Sequence, residues 1–150
     1  MCMLIRWSGL IPRKAVIERT VYKVMKVYDD GRIVSMYRNH QYNLGELNET
    51  FLTFSKRSRM SRTVHQGLHA YVHYDDALSE QQRAELADLC SRSRLPLLEP
   101  RDFKYEIFEC TIPRGAKFYR GVWDVAKFYL RKNIANIVSN QLIITEQVKD

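Results

Sequence analysis

The stretch 20-TVYKVMKVYDDGRIVSMY-37 decides the fold that we predict for this chain. Residues 20–28 are rich in Val and Tyr and alternate in part between polar and apolar side chains, which is typical of a β-strand. The segment 29-DDG-31 is a turn signal, because glycine tolerates a positive φ. Since 32-RIVSMY-37 predicts a second strand, we expect a β-hairpin here.

Strand patterns recur along most of the remaining chain. They cover residues 50–54, 64–74, 103–112, 116–122 and 137–145. Gly67 interrupts the second of these and indicates a β-bulge or a close backbone approach. The segment 113-PRG-115 predicts a turn, after which residues 116–122 return antiparallel to residues 103–112.

Two polar segments separate these strands. Residues 38–49 contain Asn-Leu-Gly and predict a loop or turn. The segment 55-SKRSRMSRT-63 carries several basic residues and no acid, and Met60 is its single apolar residue. Because such a segment has no apolar face to bury, we expect an exposed, mobile loop.

The clearest helix is predicted for 76-DALSEQQRAELADLCSR-92, with Asp75 or Asp76 as its cap. Its apolar residues, Leu86 and Cys90 among them, recur at helical spacing. A second, short helix is predicted for residues 123–132. We therefore expect a single α+β domain over residues 1–150, with a mainly antiparallel β-sheet and one or two helices.

Composition limits the classes of function. The net charge of +7 indicates anionic partners, namely nucleic acid, nucleotides or an acidic membrane face, although a soluble protein can also simply be basic. No apolar run reaches the length of about 18 residues that a membrane span needs, and residues 1–16 lack the pattern of a signal peptide. Three widely spaced cysteines do not indicate a disulfide framework. We expect a cytoplasmic protein without membrane association.

Signals for catalysis are weak. His65, His69 and His73 are spaced by four residues and would fit a three-histidine metal site. No carboxylate in a catalytic setting accompanies them, so we favour partly exposed strand histidines. Neither a P-loop nor a GxGxxG motif is present. We expect no catalytic residues, no metal and no cofactor.

Binding signals are stronger, because residues 114–133 mix cations with aromatic rings. A phosphate needs positive charge, and a base needs a ring to stack on. The members of this set are Arg114, Lys117, Tyr119, Arg120, Lys127, Phe128, Tyr129, Arg131 and Asn133. Arg38, His40 and Tyr42 form a second, smaller set. The alternatives are that the rings pack in the core below a solvated basic rim, or that the set grips a nucleic acid.

Five motifs in a fixed order carry a resemblance to known proteins. They are 21-VYKVM-25, 35-SMYRNHQYNLG-45, 67-GLHAY-71, 110-CTIPRGAKFYRG-121 and 138-VSNQLII-144. Their order resembles that of a group of small phage and prophage proteins, and through this group the chain is similar to the Thoeris anti-defence nucleotide-sponge proteins. One departure from the pattern is Met36, where a proline is expected.

The resemblance implies a function without chemistry. The sponge proteins have an antiparallel sheet with C-terminal helical parts, form oligomers, and bind cyclic ADP-ribose-type immune signals or, in some cases, cyclic oligonucleotides. They sequester the signal intact. For this chain the resemblance implies a phage-encoded homo-oligomer that inhibits host anti-phage defence. The alternatives are a nucleic-acid-binding accessory protein of phage and a small nucleotide-processing enzyme.

We assign roles to the predicted ligand-binding residues from their chemistry. The side chains assigned to phosphate contact are Arg120 and Arg131, with Arg114 and Lys127 as further candidates. The stacking rings are Tyr119 and Phe128. The groups assigned to ribose or base edges are His69, Tyr71 and Asn140, and Arg38 is added from the smaller set. Because one domain of this size offers little enclosed volume, we expect a pocket between subunits.

Overall fold

A computed structural model describes residues 3–6, 12–37, 39–58, 61–94, 101–123 and 135–149. Within these ranges the chain forms thirteen β-strands of one sheet and one α-helix. The elements are β1 (Met3–Arg6), β2 (Arg13–Lys14), β3 (Arg19–Tyr28), β4 (Ile33–Ser35), β5 (Gln41–Tyr42), β6 (Leu47–Glu49), β7 (Thr53–Ser58), β8 (Ser61–Gln66), β9 (Leu68–Tyr71), α1 (Tyr74–Arg94), β10 (Phe103–Ile112), β11 (Lys117–Trp123), β12 (Ala135–Ser139) and β13 (Gln141–Gln147).

The sheet is antiparallel at every pairing of these strands, which confirms the predicted α+β class. Its order is β6-β13-β10-β3-β9-β12-β11-β1-β8-β7. Strand β2 adds to β11, and β4 adds to β3 and carries β5. Strand β3 is central: it pairs with β10 from Arg19–Ile112 to Tyr28–Phe103 on one edge, and with both β4 and β9 on the other.

The predicted hairpin is confirmed as β3 and β4. Gly31 has a φ of 88°, and its N–H donates to the Tyr28 carbonyl at 2.9 Å. Asp30 closes the turn by accepting from the Arg32 N–H at 3.1 Å and from Arg32 Nε at 2.6 Å. The second strand ends at Ser35 rather than at residue 37, because the chain turns there toward β5.

The predicted helix is confirmed as α1, which packs on β3, β10 and β9. Its sheet-facing stripe contains Ala77, Glu80 and Ala84 at intervals of three and four residues. Leu86 follows the helical spacing but does not belong to this stripe, since Leu86 and Leu89 are each 63% exposed. None of the described residues belongs to a helix that is long and apolar enough to cross a membrane.

The expectation of a mobile loop at residues 55–63 is also wrong. The segment lies in the hairpin of β7 and β8, apart from residues 59–60, which lie outside the described residues. Strand β8 pairs with β1 on its other edge and ends next to the core, where Val64 is fully buried. Pairing on both edges of β8 therefore overrides the polar composition of the hairpin.

Three further expectations concern the C-terminal half. Two of them need correction, and the third falls largely outside the described residues. Strand β11 pairs with β12, β1 and β2 rather than with β10. The predicted strand at residues 137–145 is two strands that meet at Asn140, which exchanges hydrogen bonds with the Lys117 backbone. The predicted helix at residues 123–132 lies outside the described residues, except for Trp123, which ends β11.

Both sides of the sheet are buried against other parts of the chain. The main core gathers side chains from most strands, including Met25, Phe108, Cys110, Phe118 and Leu142. Burial raises the pKa of the Cys110 thiol to about 12, so it stays protonated and unreactive. A second cluster lies under α1 and contains Val24, Tyr71, Ala77 and Ile107. A third contains Val64, Tyr119 and Val138.

Gly67 marks a close approach, as the sequence predicts. It has a φ of 155°, and a Cβ added there would overlap Val138 Cγ2 and lie 2.8 Å from Leu52 Cδ2. We expect Gly67→Ala to lower the free energy of unfolding by about 2–4 kcal/mol, through overpacking added to backbone strain. Urea denaturation measures this loss. Gly31→Ala is the matched control, because its φ is also positive and no atom lies within 4 Å of the added Cβ; a loss as large at Gly31 would contradict the role of packing.

Candidate functional site

A cleft of about 520 Å³ opens beside β3, where β4 and β9 diverge. On this edge β3 pairs with β9 at Tyr22–Tyr71 and with β4 from Met25–Ser35 onward. Lys23 and Val24 lie between the two pairings and have no ladder partner on this edge in the described registers. The cleft is thus a wedge-shaped gap in the sheet, with a volume in the range of small-molecule sites.

The cleft is lined by cationic, aromatic and neutral polar groups. Its basic and aromatic side chains are Lys23, Tyr37, His40, Tyr42, His69 and Tyr71. Its neutral polar side chains are Ser35, Asn39, Gln41, Thr50 and Gln66. No carboxylate or thiol occurs among the described residues that line it. An anion entering the cleft therefore meets hydrogen-bond donors and a positive charge rather than like charges.

Lys23 supplies that positive charge from a buried position. Its residue is only 9% exposed, and its Nζ donates to the backbone carbonyl of His69 and lies 5.5 Å from the centre of the Tyr42 ring. In the described part of the chain no carboxylate pairs with it. A buried ammonium without a counter-ion is costly. Since an ammonium has three donors and His69 takes one, the site is suited to an anion.

The turn after β4 orients the aromatic wall of the cleft. Ser35 N–H donates to the His40 carbonyl at 2.8 Å, and His40 N–H donates to Ser35 Oγ at 3.0 Å. Asn39 has a φ of 50°, a conformation that asparagine tolerates better than most residues. These contacts hold His40 edge-on to Tyr42, with ring centroids 4.7 Å apart.

Two tyrosines on the helix side of the cleft are held in their neutral form. Burial is the main cause that raises the pKa of both Tyr37 and Tyr71, and the negative charge of Glu80 raises both further. Their hydroxyls therefore keep their protons over the physiological pH range. Each therefore presents an uncharged ring and adds no negative charge to the cleft.

The structure brings part of the predicted site together here. His69 and Tyr71 both line the cleft. His40 and Tyr42, which form the smaller set with Arg38, line it as well. Arg38 itself lies outside the described residues, directly before Asn39. Among the described residues, members of the smaller set rather than of the larger one therefore line the cleft.

The described members of the larger set lie elsewhere. Tyr119 is buried and packs with Val64 and Val138, so its ring belongs to the core. Arg120 and Arg114 are exposed, on β11 and in the turn before it, and neither lines the cleft.

Asn140, which was assigned to ribose or base edges, has a structural role in the turn after β12. Asn140 Oδ1 accepts from the Lys117 N–H at 2.8 Å, which fixes the turn between β12 and β13. The members of the larger set that lie outside the described residues are Lys127, Phe128, Tyr129, Arg131 and Asn133.

Sequence reasoning missed Lys23, although a signal was present. In a β-strand alternate residues share a face, so Val21, Lys23 and Met25 point the same way. Val21 and Met25 are strongly apolar, and a lysine between them on one face predicts a buried charge.

Comparisons with protein-family models, curated proteins and solved structures give no match for this chain. The described residues also contain no group of three or more His, Cys, Asp or Glu side chains that could hold a metal ion. The chemistry of the cleft is thus the basis for a functional assignment.

Proposed function

We propose that the protein binds a small phosphorylated nucleotide in the cleft beside β3 and sequesters it intact. The proposed ligand class is a cyclic nucleotide immune signal of the cyclic ADP-ribose or cyclic oligonucleotide type. The proposed biological role is that of a phage-encoded sponge, a cytoplasmic homo-oligomer that inhibits host anti-phage defence. The ligand class and this role rest on the five motifs described above.

The buried ammonium of Lys23 is the observation that carries the proposal. Its single described hydrogen-bond partner is the neutral carbonyl of His69, and its charge has no described counter-ion. A phosphate oxygen at Nζ would form a charge-assisted hydrogen bond in a partly desolvated site, where such bonds are strong. The ligand would thereby supply the missing negative charge.

The rest of the cleft supports a nucleotide over a bare anion. The half-exposed ring of Tyr37 can offer a surface to a base, and the buried rings of Tyr42 and Tyr71 also line the cleft. Side-chain amides such as Gln41 and Gln66 can donate to and accept from the polar edge of a base. Nanomolar capture requires about 12 kcal/mol of binding free energy. A charge-assisted phosphate contact, a stacked base and exclusion of water can together supply this amount.

A depletion experiment tests the function. Purified protein is mixed with cyclic ADP-ribose isomers or cyclic di- and trinucleotides, the free ligand is quantified, and the protein is then denatured by heat. We expect the ligand to be depleted before heating and recovered unchanged afterwards. Recovery of an altered ligand would instead indicate an enzyme. No depletion, together with salt-sensitive binding to single-stranded DNA or RNA, would favour the nucleic-acid alternative.

The location of the cleft also bears on the expected pocket between subunits. All of its described lining residues come from one chain. A single chain therefore provides a cavity of ligand size, because the sheet opens at the point where two strands leave the same edge of β3. Homo-oligomer formation remains part of the proposal, and the cleft does not depend on it.

A further inference from the structure

Tyr37 connects the cleft with helix α1. Its ring lines the cleft, and its hydroxyl donates to Glu80 Oε1 at 2.6 Å and accepts from Arg83 Nη2 at 2.9 Å. The hydroxyl proton is thereby directed toward the helix. Tyr37 consequently offers the cleft the surface of its ring more than its polar group.

Glu80 is the centre of this connection. It is only 8% exposed, and its second oxygen, Oε2, accepts from Arg83 Nε at 2.9 Å. A buried carboxylate must be compensated by charge and hydrogen bonds. The ion pair with Arg83 and the hydrogen bond from Tyr37 both compensate the carboxylate of Glu80. Arg83 is half-exposed and reaches Glu80 across one turn of α1.

The backbone around Tyr37 does not fix its ring. Strand β4 ends at Ser35, so Tyr37 lies in the turn that follows and not in the sheet. The residue is 48% exposed, and its hydroxyl is tied to a buried carboxylate on α1. The Glu80–Arg83 pair therefore anchors the hydroxyl end of the ring.

We infer that Tyr37 is a specificity-determining residue that stacks on the base of the ligand, and that Glu80 is the positioning residue that holds its ring. The inference rests on the proposed binding of a nucleotide in the cleft. It divides recognition in two: Lys23 takes the phosphate, and the ring held from α1 selects ligands that carry a base. A bare phosphate compound would use the first contact alone.

Two probes separate these contacts, namely ADP-ribose, which has a base, and inorganic pyrophosphate, which has none. Calorimetric titration measures the Kd of each. We expect Tyr37→Leu to weaken ADP-ribose binding about tenfold or more while pyrophosphate binding changes less than about twofold. Glu80→Gln should weaken ADP-ribose binding by a smaller factor, again without affecting pyrophosphate. Tyr28→Leu is the matched control, because Tyr28 stacks with Arg32 outside the cleft.

The outcomes distinguish this inference from the proposed function. If Tyr37→Leu binds ADP-ribose as wild type does, or loses both probes equally, the specificity role is wrong while nucleotide binding stands. If wild-type protein binds both probes with the same affinity, the base is not recognised and the inference fails alone. If wild-type protein binds neither probe but depletes a cyclic nucleotide in the depletion experiment, the inference fails and the proposed function stands; if it depletes no cyclic nucleotide either, both fail. Circular dichroism of each variant shows whether a loss reflects unfolding.

Discussion

Lys23→Met is expected to weaken binding of a phosphorylated nucleotide by at least about tenfold, and by about a hundredfold if two of the remaining Nζ donors engage the ligand. The methionine keeps the length and much of the volume of the lysine side chain. It removes the single positive charge that the described lining of the cleft places in a buried position. Calorimetric titration with cyclic ADP-ribose measures the change.

The stability of the ligand-free Lys23→Met protein should not fall along with its affinity for the nucleotide. Lys23 has no carboxylate partner among the described residues, so the ligand-free protein bears the cost of its desolvation. Methionine removes that cost and loses only the hydrogen bond to the His69 carbonyl, a net contribution of about 1 kcal/mol. In urea denaturation we expect the free energy of unfolding of the ligand-free variant to lie at most about 1 kcal/mol below that of wild type, or above it.

Lys26→Met is the matched control for this substitution. It lies on the same strand and removes the same unit of charge, but its Nζ lies 4.9 Å from the centre of the Phe103 ring, outside the cleft. A general loss of electrostatic attraction would weaken binding equally in both variants. An unchanged affinity of Lys23→Met, or equal losses in the two, would remove Lys23 from the site.

The sequence was sufficient for those parts of the fold that are set locally. The hairpin of β3 and β4 is predicted because a partly period-two pattern meets a turn glycine, and β10 because its ten residues form a long run of strand type before a Pro-Arg-Gly turn. The partner of β11 was not predictable in this way. The turn at Gly115 suggested a hairpin with β10, whereas β11 lies four strands away from it in the sheet. Which strands pair depends on packing between distant segments, and no local signal encodes this.

The candidate site was only partly predictable for a related reason. Aromatic and basic residues signal a binding site equally well wherever they occur, but the position of each strand in the sheet decides which of them line a cleft. Tyr119 and Tyr71 are both buried and both occur in apolar strand sequence, yet only Tyr71 lines the cleft. The cleft itself arises because β4 and β9 share one edge of β3. The sequence of β4 or of β9 taken alone does not indicate that the two strands pair with the same edge.

Phe118→Ala is expected to have the largest effect on stability. Phe118 lies on β11, within the basic and aromatic stretch of residues 114–133, and is only 1% exposed in the main core. Its ring also lies 5.0 Å from Arg19 Cζ. Truncation of a buried phenylalanine leaves a cavity and lowers the free energy of unfolding by about 3–5 kcal/mol. For a chain of this size the melting temperature should fall by about 10 °C.

Arg120→Ala is the control for that substitution and at the same time a test of the site. Arg120 lies two residues along the same strand and is exposed, so its truncation should change the unfolding free energy by less than about 0.5 kcal/mol. It was assigned to phosphate contact from the sequence, yet it does not line the cleft. We therefore expect nucleotide affinity to be unchanged in Arg120→Ala. A tenfold loss of affinity there, with Lys23→Met binding normally, would move the site from the cleft to the exposed face of β11.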